Sequence, residues 1–384
     1  MGYTIKTLNK IAKTGLEKFG ENYVIDDNAA APDGILLRSA SMHEMELPES
    51  VLSIARAGAG VNNIPVDRFA ERGIVVFNTP GANANAVKEL AIASMLISSR
   101  KIVQGINWVN SLTQDVVKEV EKGKSQFVGP EIEGKILGVI GLGAIGVLIA
   151  NAATNLGMEV LGYDPYISVD AAWGLSRAVR KANDLKTIFE NADYITLHMP
   201  YNSQTKGTLN TDAFAQMKKG VRIINLSRGE LVNDDDILAA ISEGTVSTYV
   251  TDFPNEKMIN QPGVITVPHL GASTPESEDN CADMAARQTK VYLETGNIKN
   301  SVNYPNCEMP LSGAQRVTVA HKNIPNMLGQ ISTALAESGL NIGDMINKSR
   351  GDYAYTIIDL ETATTEESLS KIKSIDGVLK VRVI

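Results

Sequence analysis

The stretch Lys135-Ile-Leu-Gly-Val-Ile140, Gly141-Leu-Gly143-Ala-Ile-Gly146, Val147-Leu-Ile-Ala-Asn-Ala-Ala-Thr-Asn-Leu-Gly157, Met158-Glu-Val-Leu-Gly-Tyr-Asp164 decides how the rest of the chain is read. Its first piece is short, apolar and partly β-branched, as a strand buried on both faces requires. The Ala-rich third piece suits a helix closed by Gly157. The last piece is a second strand that ends in an acid, 18 residues after Gly146. Strand, glycine turn, helix, strand and acid in that order predict a dinucleotide site. The first glycine makes the tight turn, the second lets backbone approach a pyrophosphate, and the third lets helix and strand pack closely. Free N–H groups at the helix start would meet the phosphates. Asp164 would take the ribose 2′-hydroxyl and repel a 2′-phosphate, favouring NAD over NADP.

The surrounding chain has 384 residues, enough for two or three domains. A net charge of -8 argues against nucleic acid or an anionic membrane as the main partner. Two cysteines, Cys281 and Cys307, supply neither a disulfide framework nor metal spacing, so no metal is expected and a reducing compartment fits. The start, Met-Gly-Tyr-Thr-Ile-Lys, lacks a signal-peptide pattern, and the longest apolar run is too short and glycine-rich to span a bilayer. The expected location is the cytoplasm.

Up to residue 98 the pattern alternates short strands (Tyr23–Ile25, Gly34–Leu37, Ile54–Arg56, Val75–Phe77) with helical stretches, which predicts a doubly wound parallel sheet. Ligands of such sheets sit at the carboxyl ends of strands, where Arg56-Ala57-Gly58-Ala-Gly60 and Asn78-Thr79-Pro-Gly81 fall. Residues 87–120 read as one long helical region leading into the cofactor domain. From Gly134 to about Gly271 strands and helices alternate again. That makes a full dinucleotide-binding domain inserted in the first, with a helix near Glu276–Glu294 returning to it. From Gln315 the order βαββαβ predicts a separate ferredoxin-like module suited to sensing or assembly.

Three polar residues follow the fingerprint, each after a strand: Arg228 in Asn225-Leu226-Ser227-Arg228-Gly, Glu256 in Thr251-Asp252-Phe-Pro-Asn-Glu256, and His269 in Val267-Pro-His269-Leu-Gly-Ala-Ser-Thr. Oxidising an alcohol needs a base for the hydroxyl proton while hydride leaves carbon, and histidine suits that role. A carboxylate beside it would fix its tautomer, and a guanidinium would grip a substrate carboxylate. Taken singly, each has a plain alternative: a structural Pro-His, a solvated loop acid, an arginine paired with Asp234 or Asp235. Their joint placement beside a dinucleotide site favours chemistry. His198 in Leu197-His-Met-Pro200 is assigned to framing the adenosine, and His43 and His321 have no catalytic partners.

These motifs together resemble the D-2-hydroxyacid dehydrogenase family over essentially the whole chain, and within it the branch that oxidises 3-phospho-D-glycerate. The resemblance implies His269 as acid–base residue, Glu256 as its partner and Arg228 as substrate anchor. Arg56, Ala57 and Gly58 would bind substrate with Arg228 and His269. Asp252 would hold the nicotinamide carboxamide. Thr79, Pro200, Thr205, Leu226, Ser227 and Ala272 would surround NAD together with Gly141, Gly143, Ala144, Ile145, Gly146 and Asp164. Ala144 departs from the family, in which arginine or lysine is commonest there. The tail resembles an ACT regulatory domain, which implies L-serine as effector at His321, Asn323 and Asn341.

The expected fold is α/β: a Rossmann-type cofactor domain (99–274) inserted in a flavodoxin-like substrate domain (1–98 and 275–303), then a linker (304–314) and the ACT module (315–384). Closing a crevice around substrate would need hinges near 98–102 and 272–275. The expected activity is NAD-dependent oxidation of 3-phospho-D-glycerate to 3-phosphohydroxypyruvate, the entry to serine synthesis, in a homodimer or homotetramer. Its rivals are reduction of another 2-keto acid, such as glyoxylate or hydroxypyruvate, and a non-catalytic NAD-sensing corepressor-like protein.

Overall fold

Short aliphatic runs build three sheets in the computed structural model, which describes residues 2–384. The first contains β1 (Tyr3–Thr7), β2 (Tyr23–Ile25), β3 (Gly34–Leu37), β4 (Ser53–Arg56) and β5 (Val75–Phe77), all parallel, in the order β2-β1-β3-β4-β5. Its central strands are apolar throughout because both faces are covered. Ile35, Leu37, Ile54 and Val76 enter one core, and Leu36, Ala55, Val75 and Phe77 the other. Strand β1 was not expected: in Tyr3-Thr-Ile-Lys-Thr only Ile5 is a fully buried apolar residue, so the sequence shows little strand pattern.

The second sheet contains β6 (Ile136–Ile140), β7 (Glu159–Tyr163), β8 (Arg180–Lys181), β9 (Tyr194–Leu197), β10 (Val221–Asn225), β11 (Val246–Thr251) and β12 (Val264–Thr266). Their order is β12-β11-β10-β9-β6-β7-β8, with every pairing parallel. The chain winds outward in opposite directions from β6 and β9, so the crevice at their carboxyl ends is the switch point where such sheets bind ligands.

The region expected as one helix over 87–120 is three: Ala84–Arg100, Ile102–Ser111 and Val116–Gly123. Lys101 and Asp115 interrupt it with φ of 49° and 48°, left-handed values that end an α-helix. Only the first of the three has buried residues, among them Ala91 and Met95, which pack on Ile149, Ala150 and Ala153.

The chain forms two compact units, residues up to Asn83 with Pro275–Ile384, and Ala84–Thr274. The helix Ala84–Arg100 therefore belongs to the second unit, ahead of the crossing expected near residue 98. Among the described residues no helix is long and apolar enough to cross a membrane.

The third sheet is antiparallel: β13 (Gln315–Lys322), β14 (Ile342–Arg350), β15 (Tyr353–Leu360) and β16 (Val378–Val383), ordered β14-β15-β13-β16. Helices Met327–Glu337 and Glu366–Lys373 cover one face, against Val317, Val319, Ile358 and Leu360. The alternate residues Ala320, Tyr355 and Ile357 join the core of the first sheet with Phe77, Tyr292 and Leu293. The module thus has its own helix-side core, and its other face joins the core of the first sheet. The segment expected as a linker lies in that core as well: Tyr304 and Cys307 are buried, and the Tyr304 hydroxyl donates to the Ala70 carbonyl.

This contact is fastened by arginines on carbonyl groups left over at a helix end. Arg316 donates to Asp359, directly opposite on β15, and to the carbonyls of Thr295, Met309 and Pro310. Arg382 donates to the carbonyls of Tyr292 and Leu293. Helix Pro275–Thr295 therefore ends on two cations, which its unpaired carbonyls and dipole favour. Burial acts to raise the Asp359 pKa, but the hydrogen bonds from Arg316 and Ser312 outweigh it and hold the carboxyl below its ordinary range. Replacing Arg316 by Met strands a buried carboxylate, and unfolding is expected to become easier by about 3–5 kcal/mol, read from urea or thermal denaturation of the first unit. Since the folded-state carboxyl is depressed, this stabilisation is complete above the ordinary carboxylate range and is lost as acid protonates Asp359.

Candidate active site

At the carboxyl end of β6 the chain must turn immediately into helix Ala144–Asn155. Gly141 makes that turn at φ 94°, and a side chain there would strike the His198 backbone at the end of β9. At Gly146 a Cβ would lie 1.9 Å from the Gly141 carbonyl oxygen, so only glycine lets helix and turn approach this closely. A Cβ at Gly143 would meet nothing within 4 Å, which leaves open space over the helix start. That helix has no side-chain cap, so its first N–H groups are free for an anion. Asp164 accepts the Leu142 and Tyr166 N–H groups at 2.8 Å each. One lone pair on each oxygen remains for ribose hydroxyls. The fingerprint residues therefore fit a dinucleotide: space for phosphate, donors facing it, and an acid at the second strand.

The loops after β10, β11 and β12 carry the residues expected to act in catalysis. Asn225, fully buried at the end of β10, donates to the Arg228 carbonyl at 2.9 Å and accepts the Ser227 N–H at 3.2 Å. This Asx turn presents Arg228, whose side chain, among the described residues, donates only to the Ser227 carbonyl and pairs with neither Asp234 nor Asp235. Those acids are taken up by Asn255 and Lys257. Phe253, on the next loop, lies against both functional groups. Its ring centroid is 5.9 Å from the Arg228 guanidinium and 4.6 Å from the His269 ring. Asp252, Phe253 and His269 line a cleft of about 790 Å³ in this unit, with Asn233, Asp234 and Lys257 further along its wall.

Glu256 is not brought to His269. It is exposed and makes no hydrogen bond or ion pair among the described residues, while Met258, two residues on, is 2% exposed and anchors the segment. Asp252, one of the carboxylates lining the cleft with His269, is 1% exposed. Its Oδ2 accepts the Gly271 N–H at 3.4 Å, and its Oδ1 has no partner. Burial pushes its pKa up, while the charges of His269 and Arg228 and the Gly271 N–H act the other way. Asn225 and Phe253 escaped the sequence reading as site residues. An Asn at a strand end followed two residues later by Ser was the available signal for the first; nothing marked the second.

Other expected residues divide between the units. In the second, Ser227 donates to the Leu197 carbonyl at 2.6 Å and Thr205 to the Pro200 carbonyl at 2.7 Å, both shaping loops beside the fingerprint. Leu226 is buried, Ile145 and Ala272 partly so, and Ala144 is exposed. Burial pushes the His198 imidazole down to about 3, so it is neutral at physiological pH. Its Nε2 bonds the Thr196 hydroxyl at 2.7 Å and its buried Nδ1 has no partner.

In the first unit, Arg56 donates to the Arg38 and Gly60 carbonyls and arches over Gly58, where a β-carbon would displace its guanidinium. Ala57 and Thr79 are buried, and the Thr79 N–H donates to the Gly58 carbonyl. His321 is 2% exposed with both ring nitrogens bonded, to the Lys322 carbonyl and the Thr356 hydroxyl, whereas Asn323 and Asn341 are exposed. Among the described residues no group of histidine, cysteine and acidic side chains could hold a metal.

Residues 92–271 match the family model described as D-isomer specific 2-hydroxyacid dehydrogenase, NAD binding domain. Over 366 residues the chain is 31% identical to D-3-phosphoglycerate dehydrogenase of Haemophilus influenzae, covering 91% of this chain and 85% of that protein. The chain belongs to the D-isomer specific 2-hydroxyacid dehydrogenase family. It is also 33% identical over 308 residues to D-3-phosphoglycerate dehydrogenase of Methanocaldococcus jannaschii, covering 79% of this chain and 56% of that longer protein. Among solved structures, NAD+-bound 3-phosphoglycerate dehydrogenase of Entamoeba histolytica superposes with a TM-score of 0.61 at 26% identity, covering 79% of this chain and 99% of that one. NAD is the cofactor of this dehydrogenase.

The close approach at Gly146 yields a direct test. In Gly146→Ala the new methyl would displace the Gly141 turn, and NADH affinity, measured by fluorescence titration, is expected to fall at least about 10-fold while the fold persists.

Proposed function

We propose that this dehydrogenase oxidises 3-phospho-D-glycerate to 3-phosphohydroxypyruvate, the entry step to L-serine synthesis. The observation that carries the reading is the 31% identity to a D-3-phosphoglycerate dehydrogenase over 91% of the chain. Bound NAD supplies the hydride acceptor. The Arg228 guanidinium, whose remaining N–H donors are unpaired among the described residues, binds the substrate carboxylate. His269 takes the C2 hydroxyl proton as the C2–H electron pair departs, so the C2–O bond becomes a carbonyl. Phe253 supports both groups and shields one side of the cleft from water. Arg56, Ala57 and Gly58 are further substrate-binding residues in this reading, carried by the family resemblance of their motif.

His269→Ala is expected to lower kcat by about 10²–10⁴-fold with little change in NADH affinity, measured by steady-state oxidation and binding. Comparing kcat/KM for 3-phosphoglycerate with that for glycerate, lactate and glyoxylate tests the substrate. A preference for the unphosphorylated acids refutes the phosphate assignment and leaves the chemistry standing.

The C-terminal module is read as an ACT domain taking L-serine, within a cytoplasmic homodimer or homotetramer. Its antiparallel sheet with two helices on one face supports this, as do the exposed Asn323 and Asn341. The buried His321 acts as a strut beneath them, since both its nitrogens are occupied. Serine is expected to lower the steady-state rate, and Asn323→Ala to abolish that effect without altering the uninhibited rate; an enzyme indifferent to serine assigns the module to assembly.

A further inference from the structure

The amino ends of the second sheet's strands, opposite the cofactor crevice, gather a different set of charges. Lys218 and Lys219 lie in the turn before β10, and Gly220, at φ 82°, bends the chain so that Arg222 follows on the strand itself. Lys135 immediately precedes β6, and Asp193 immediately precedes β9. Strands β6 and β10 both pair in parallel with β9, so their starts share one edge of the sheet and bring the three segments together. These residues line a pocket of about 200 Å³, with Tyr194 and Pro130 also in its wall.

Four cations and a single acid line this space, in a chain whose net charge is -8. The acid is already used. Asp193 accepts the Ile136 N–H at 2.9 Å on one oxygen and the Lys218 ammonium at 3.0 Å on the other. Burial acts to raise its pKa, but these bonds and the charge of Lys135 outweigh it and hold the carboxyl below its ordinary range. Arg222 is held in place by neutral groups. Its Nε donates to the Ser98 carbonyl at 3.2 Å and its Nη1 to the Gly220 carbonyl at 3.4 Å. The guanidinium lies 5.4 Å from the centre of the Tyr194 ring, which is itself 1% exposed and hydroxyl-bonded to Ser99. Among the described residues, Arg222 Nη2 and the ammonium groups of Lys135 and Lys219 make no hydrogen bond or ion pair. Like charges gathered in one pocket repel one another, and an anion between them removes that cost.

We infer that this pocket binds a phosphoryl dianion, either inorganic phosphate or the phosphoryl group of a small ester. Arg222 offers donors in a fixed plane, and Lys135 and Lys219 add adaptable point charges. The volume lies below the roughly 300 Å³ at which small-molecule pockets begin, which excludes a dinucleotide and leaves room for one phosphoryl group. The site stands at the other end of the strands from Gly141 and Asn225 and shares no residue with the cofactor crevice. A bound anion joins the starts of β6 and β10 and, through Arg222, the last turn of helix Ala84–Arg100. It therefore stabilises the cofactor unit, whichever 2-hydroxy acid the enzyme oxidises.

The test uses the full-length protein with inorganic phosphate as the probe and saturating NADH, so that the dinucleotide cradle is occupied. Thermal denaturation is followed against phosphate at constant ionic strength set with sodium chloride, and binding is read from 31P NMR line broadening. Phosphate is expected to raise Tm with saturation, whereas chloride does not. The double variant Lys135→Gln/Lys219→Gln removes two ammonium groups without breaking a bond. It should weaken the apparent phosphate affinity at least about 10-fold. Its NADH affinity should stay within about twofold of the parent, since both lysines are remote from the crevice.

A phosphate effect no larger than that of chloride overturns the inference. So does an effect that the double variant keeps in full, which places the anion in the substrate crevice. Methyl phosphate separates the two sources of the ligand. Protection equal to that by phosphate supports a site for the phosphoryl group of an ester, and protection by inorganic phosphate alone supports a site for the free anion.

Discussion

The contact between Gly146 and the Gly141 carbonyl is the constraint on which the cofactor unit depends. It sets helix Ala144–Asn155 so close to the turn after β6 that no β-carbon fits between them. From that single approach follow the exposed helix N–H groups, the open space above Gly143 and the reach of Asp164 to the Leu142 N–H. An anion-binding surface is thereby made from backbone, without any basic side chain. This explains how Ala144 can stand where a cation is commonest: the backbone donors and helix dipole supply the attraction.

A similar economy governs the reacting side of the crevice. The loops after β10, β11 and β12 each carry a side-chain bond to their own backbone: Asn225 donates to the Arg228 carbonyl, the Phe253 N–H donates to the Thr251 hydroxyl, and the Gly271 N–H donates to Asp252. Arg228 and His269 can be exposed and sparsely bonded because their loops are not. Phe253 lies against both of them. Exposure of the functional groups and rigidity of their supports are compatible for this reason.

The first unit is held by another kind of bond. Its third sheet reaches the helix Pro275–Thr295 through arginines that satisfy helix-end carbonyls, with Arg316 further neutralised by Asp359. Tyr355 adds a donor to the Gly296 carbonyl. A C-terminal module fixed to its neighbour by oriented hydrogen bonds differs from one tethered by a linker, and the buried Tyr304 and Cys307 show that the intervening segment is itself core.

The sequence by itself determined the two parallel sheets, the glycine fingerprint and the strand-end placement of Arg228, Asp252 and His269. These features depend on local period and on residues such as Gly141 whose backbone needs are visible in the chain. It did not reveal β1, whose burial comes from neighbours rather than from its own polar-rich pattern, nor the breaks at Lys101 and Asp115, where side chains occupy a conformation that propensity disfavours. Only the tertiary structure decided which carboxylate shares the cleft with His269. Asp252 and Glu256 lie four residues apart, and with Met258 buried and the Asn255 turn in place Glu256 is exposed, while Asp252 is buried in the wall of the cleft that His269 also lines.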